Sequence, residues 1–301
     1  MQLATWNIIN TKKLDQFLFV NYCDEMNDII LQINAIKKSF VRNIINMRGE
    51  QEDERFYIID DLDLFIPRGK ITALIGGNGA GKTTLFNIVS RLTEAESGDV
   101  VFQTNGNPLS LLKMPPFKIS RLGIGRLFQD DHIIANMSVL DNMLLADGSD
   151  FGETPFISFL KPKAIKSVER KRIEKARNIF MELFVDPNPF WEKRNDPAKS
   201  LSYGQQRLLG LARLFMGNYK LVLLDEPTAG VNPQIIRQIM TIIRRMVDEK
   251  GVTVFLIEHN MKVVLELADF CSFMSHGKIT AFGTPEDVIG NNEVRRTYLG
   301  A

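Results

Sequence analysis

The chain has 301 residues, 45% hydrophobic and 24% charged, a globular composition long enough to bury a core without disulfide or metal staples. Its 37 Lys and Arg balance 36 Asp and Glu, leaving a net charge of +1 and excluding the strongly basic footprint of a general nucleic-acid binder. Two cysteines, Cys23 and Cys271, cannot build a disulfide framework, and no apolar run reaches the ~20 residues that a membrane span needs.

Residues 1–27 show no period and read as an appendage. Their apolar run Phe17-Leu18-Phe19-Val20 is too short for the core of a signal peptide, so the expected location is the cytosol. Residues 28–40 alternate at Ile29, Leu31 and Ile33, which predicts a half-buried strand. The charged stretch 41–56 reads as a solvated loop or a hairpin insertion. Tyr57 to Ile66 alternates again and stops at the turn signal Pro67-Arg68-Gly69. A strand over Lys70–Ile75 leads into a glycine-rich loop, and Leu85, Phe86, Ile88, Val89 and Leu92 then recur at helical spacing.

Residues 94–128 predict small strands and loops. Helices are expected over 137–145, over the charged stretch 163–184 and over 204–216, with loops at 148–162 and 186–200. The strands Tyr219–Leu224 and Val252–Ile257 are continuous apolar runs of the kind buried on both faces of a parallel sheet. A helix with Ile235, Ile239, Ile242, Ile243 and Met246 on one face lies between them. A helix at 263–267 and strands at 270–274 and 278–282 complete the chain. The expected fold is α/β: a mainly parallel core, an antiparallel β part and a helical lobe inserted at about 130–216.

Gly76-Gly77-Asn78-Gly79-Ala80-Gly81-Lys82-Thr83 fits the phosphate-binding pattern G-x-x-x-x-G-K-[ST], in the strand–loop–helix setting that pattern needs. The glycines let backbone N–H groups turn towards phosphate oxygens, and the helix N-terminus adds positive potential. Lys82 would reach the β- and γ-phosphates, Thr83 would ligate Mg²⁺, and Thr84 would touch the α-phosphate. Leu221 to Leu224 is an apolar strand ending in Asp225 and Glu226. In a phosphate-loop protein Asp225 would hold Mg²⁺, through a water, and Glu226 would take a proton from the attacking water.

Leu201-Ser202-Tyr203-Gly204-Gln205-Gln206 carries the chain into a family. Residues 28–301 resemble the ATP-binding cassette (ABC) ATPases, whose signature is LSGGQ. Tyr203 stands where the first signature glycine is usual. The resemblance implies that ATP is sandwiched between two cassettes, with Ser202, Gly204 and Gln205 meeting the nucleotide held by the partner's loop. It implies that Gln129 is the loop glutamine that ligates Mg²⁺ and senses the γ-phosphate, and that His259 is the switch histidine. Adenine would stack on Phe40, with Phe56 or Tyr57 as alternatives. Asn232 replaces the acid usual in the loop after the second motif, and Asn260 the acid after the histidine. His132 and His276 match no family position.

Tyr203-Gly204-Gln205-Gln206, Gly230-Val231-Asn232-Pro233, Ile257-Glu258-His259-Asn260-Met261 and Tyr298-Leu299-Gly300 resemble the ATPases of branched-chain amino acid importers, with relatives that serve urea import and lipopolysaccharide export. The implied partners are transmembrane permease subunits and a second ATPase subunit, identical or not, with the chain peripheral on the inner face of the cell membrane. A soluble ATP-gated regulator is the other class. A DNA-maintenance ATPase would need a long coiled coil, for which the helix at 163–184 is too short.

Overall fold

The computed structural model describes residues 28–45, 51–104, 107–129, 133–147, 162–184 and 188–299. Residues 1–27 with Cys23, all but the last residue of the stretch 148–162 expected as a loop, and His132 lie outside the described residues. Among the described residues, no helix is long and apolar enough to cross a membrane.

Strands β1 (Ile29–Ile45) and β2 (Gln51–Pro67) form a long antiparallel hairpin. The described parts of the charged stretch, 41–45 and 51–56, therefore pair as antiparallel strands, with Arg42 reaching Glu54 across them at 2.9 Å. The inward residues Leu31, Ile33 and Ile36 break strict alternation because a bulge intervenes. Ala35 sits there at φ 49, its N–H donated to Asp63 at 2.7 Å, and the extra residue returns Ile36 to the buried face. β1 also pairs with β4 (Ser97–Thr104), which pairs with β5 (Asn107–Ser110), giving a four-stranded antiparallel sheet.

The second sheet has six strands in the order β10-β9-β3-β8-β7-β6. They are β3 (Ile71–Gly76), β6 (Ile124–Leu127), β7 (Leu221–Asp225), β8 (Thr253–Ile257), β9 (Phe270–Ser275) and β10 (Lys278–Gly283). All neighbours are parallel except the β10 edge. Strands β3, β7 and β8 are buried at every residue, as their unbroken apolar runs require.

One face of this sheet packs against α1 (Lys82–Val89) and the antiparallel sheet, with Phe86 and Phe255 rings 4.8 Å apart. The other face packs against helices α6 (Tyr203–Met216), α7 (Pro233–Asp248) and α8 (Met261–Leu267). Helix α7 begins where Asn232 accepts hydrogen bonds from Gln234 N–H and Ile235 N–H, with Pro233 in the first turn. It buries Ile239, Ile242, Ile243 and Met246 at helical spacing.

Between β6 and β7 lie α3 (Val139–Leu144), α4 (Pro162–Leu183) and α5 (Asn188–Glu192), followed by α6. Phe180, Phe184 and Phe190 stack among them, the last two 4.3 Å apart. Stretch 186–200, expected as loop, thus contains α5 and a helical turn at Ala198–Ser200. A further short helix, α2 (Pro116–Arg121), stands within 94–128, where only strands and loops were expected. Both are too short to show a period; burial of Phe190 and Ile119 holds them. The C-terminal stretch adds α9 (Pro285–Gly290) and α10 (Asn292–Leu299). Cys271 is a buried free thiol, which burial pushes up to about 12.

Candidate functional site

Four parallel strands end on one side of the six-stranded sheet, and each delivers one group. Strand β3 ends at Gly76 and opens the glycine loop. Gly81 closes it at φ 105, and a Cβ there would lie 2.6 Å from the Ile58 carbonyl oxygen, so both conformation and space demand glycine. No side chain caps the start of α1, which leaves its first-turn N–H groups facing the loop. Lys82 is buried and lies back over the loop, its Nζ donating to the carbonyls of Gly76 at 2.8 Å and Gly77 at 3.0 Å. Burial pulls its ammonium pKa below the ordinary lysine value, against the opposing pull of the Glu226 and Asp225 carboxylates. Asn78, Gly79 and Thr83 are exposed on this rim, Thr84 is half-buried and Ala80 is buried.

Strand β7 ends in Asp225, 1% exposed. Its Oδ2 lies 3.4 Å from Arg126 Nη2 on the neighbouring β6, and its Oδ1 is buried with no hydrogen-bond partner. Burial raises the Asp225 pKa, and Arg126 opposes the rise. An orphaned buried carboxylate oxygen suits a hard divalent cation and its waters.

Glu226 follows in the left-handed region at φ 48, its backbone N–H donated to Ile257 at 3.0 Å. His259 Nε2 lies 3.0 Å from Glu226 Oε1, and Gln129 Nε2 donates to Oε2 at 3.4 Å. Register explains the meeting. Leu127 pairs with Leu224 and Asp225 with Ile257, so residues just past β6, β7 and β8 converge.

The signature residues occupy another helix end. Ser202 accepts from Gln205 N–H, and the Gln205 side chain accepts from Ser202 N–H, a reciprocal capping box on α6. Gly204 packs where a Cβ would meet Ile235 at 3.0 Å. Tyr203 is exposed, and Arg207, one turn later and 1% exposed, donates to its hydroxyl at 3.0 Å and to the Phe128 carbonyl at 3.3 Å. A buried cation thus joins the signature helix to the residue preceding Gln129. Phe40 stands opposite Phe56 on the hairpin, both part-exposed, with Lys38 over the Phe40 ring at 5.3 Å. Tyr57 is more exposed still, beneath Arg55.

Arg126 and Arg207 were not assigned from the sequence. A cation inside an apolar strand or on the buried face of a helix is the available signal, since such a charge needs a partner. Asn232 and Asn260, where acids are usual, cap α7 and α8.

A family model described as "ABC transporter" matches residues 59–229. The chain belongs to the ABC transporter family. It is 37% identical over 245 residues to a probable branched-chain amino acid transport ATP-binding protein LivG of Archaeoglobus fulgidus, covering 81% of this chain and 90% of the relative. Identity is 33% over 242 residues to the high-affinity branched-chain amino acid transport ATP-binding protein BraF of Pseudomonas aeruginosa, 80% of this chain and 91% of the relative. A crystal structure of a nucleotide-free ATP-binding cassette superposes with a TM-score of 0.69 at 30% identity, covering 91% of this chain and all of that one. The ADP conformation of such a cassette gives the same score and identity, with 99% of that chain covered. As a member of this family the chain is an ATPase, and its P-loop, buried α/β sheet and antiparallel sheet are those of the ABC cassette.

Proposed function

We propose that this cassette binds and hydrolyses ATP to power import of branched-chain or related amino acids through separate permease subunits, at the inner face of the cell membrane. The observation that carries the reading is the Glu226 carboxylate, held by His259 and Gln129, one residue past the buried Asp225. The names of the relatives support the cargo.

In this reading the glycine loop from Gly76 to Gly81, Lys82 and the α1 N-terminus hold the ATP phosphates, with Thr84 at the α-phosphate. Thr83, Asp225 and Gln129 would hold Mg²⁺, which when bound would supply positive charge to neutralise the phosphate oxygens. Glu226 accepts the proton of the water that attacks the γ-phosphorus. His259 keeps the Glu226 carboxylate oriented and donates to the γ-phosphate when nucleotide is present. Phe40 stacks on adenine from the hairpin.

The exposed α6 N-terminus, with Ser202, Gly204 and Gln205, completes the site of a second cassette head-to-tail, where its N–H groups meet the γ-phosphate. The stretch 130–216 is the inserted helical lobe, and packing of α3, α4 and α6 on one another supports it. The test is uptake of radiolabelled leucine by vesicles holding the chain with the permease subunits that co-purify from membranes. ATP-dependent uptake that Glu226→Gln abolishes is the expected result. ATPase activity without uptake of any branched-chain amino acid would refute the cargo, and no ATPase activity would refute the mechanism.

A further inference from the structure

We infer that Glu258 is the positioning residue that holds Glu226 and His259 in register, an inference that rests on the proposed ATPase reading of these two groups. Glu258 ends the buried strand β8 and is 2% exposed. Its two carboxylate oxygens serve two different loops. Oε1 accepts from the Thr228 N–H at 3.2 Å and from the Thr228 hydroxyl. Oε2 accepts from the N–H groups of His259 at 2.9 Å and Asn260 at 3.1 Å. Thr228 is two residues past Glu226, so one carboxylate staples the segment carrying the proton acceptor to the segment carrying the histidine.

Four donors match the four lone-pair sites of a carboxylate. Three of them are backbone N–H groups, and that of the buried Thr228 would otherwise be left costly and unpaired. The staple also has something to restrain. Glu226 is held at φ 48, a conformation that a non-glycine residue keeps only where its surroundings enforce it. Glu226 N–H bonded to Ile257 fixes one side of that turn, and Glu258 fixes the other through Thr228. The 3.0 Å approach of His259 Nε2 to Glu226 Oε1 follows from both segments being tied to one buried group.

The test compares Glu258→Gln with the wild type in the full chain, alone and with its permease. A carboxamide offers one oxygen and turns an NH₂ group towards the second pair of donors, so one loop is released. Turnover should fall about 10- to 100-fold, the range for loss of a group that orients a catalytic side chain. KM for ATP should stay within about twofold, because the glycine loop is not stapled. In a His259→Ala background Glu258→Gln should add almost no further loss, since both act through the same contact. Amide exchange should quicken in segments 226–231 and 258–262 and stay unchanged in 82–89.

Thr228→Val, which removes only the hydroxyl, should show the same pattern more weakly and decides the matter if Glu258→Gln does not fold. Unchanged exchange in both segments, losses that add fully to His259→Ala, or ATP affinity falling in step with turnover would overturn the inference. Absence of ATP hydrolysis by the wild type would instead sink the ATPase reading, while the exchange pattern would still report on the staple.

Discussion

At the scale of single residues, the site is a set of charges, some held by their own loop and others by partners far apart in the chain. Lys82 rests on carbonyl oxygens of its own loop. Lys82→Ala should weaken ATP binding about 10- to 100-fold, the equivalent of one charge-assisted contact. Titration calorimetry checks it, and unchanged affinity would contradict the phosphate-loop assignment. Lys82, Thr83, Asp225 and Glu226 were legible in the sequence because their motifs are contiguous. Arg126 was not, because its partner Asp225 is 99 residues away and only the sheet register brings them together.

At the scale of elements, helix ends and their caps set where the chemistry points. Arg207 couples α6 to the segment before Gln129, and its planar fork reaches two acceptors at once. Arg207→Lys should therefore lower steady-state ATPase activity about 3- to 10-fold with ATP affinity retained. Activity equal to wild type would show that one donor suffices. In the helical stretch, Asp147 receives Arg172 at 2.9 Å and Lys175 at 2.8 Å, and Arg172 also donates to the Leu144 carbonyl.

Burial alone would raise the Asp147 pKa, but the Lys175 and Arg172 partners outweigh it and hold it below the ordinary aspartate value. A depressed folded-state pKa adds stability that is complete above the unfolded-state value near 3.8 and fades as pH falls through the lower folded value. Asp147→Asn should lower the thermal midpoint by about 2–4 °C at neutral pH, for an interaction worth about 1 kcal/mol. The difference should close in strong acid; a gap independent of pH would point to packing instead.

At the scale of the whole molecule, the parallel sheet gathers the glycine loop, Gln129, Glu226 and His259 at the C-terminal ends of β3, β6, β7 and β8, where α/β sheets place their ligands. The signature end of α6 presents Ser202 and Tyr203 exposed, open to a second cassette in the proposed shared site. A site divided in this way predicts association on nucleotide binding. Glu226→Gln, which should cut turnover by about 10²- to 10⁴-fold, should elute from a sizing column as a dimer with ATP and as a monomer without it. A monomer under both conditions, with ATP bound, would exclude the shared site.

What the sequence determined by itself was everything written over short distances: the strand–loop–helix around Gly76 to Thr84, the apolar strands β7 and β8, the α7 face and the signature at 201–206. Backbone geometry and side-chain periodicity act over a few residues, so a linear reading sees them. Tertiary structure alone decided how the charged segments 41–45 and 51–56 pair, where the bulge at Ala35 returns Ile36 to the core, and why Arg126, Arg207 and Glu258 are charged inside a buried interior. Each of those charges answers a group on another element, and only packing brings the two within hydrogen-bonding distance.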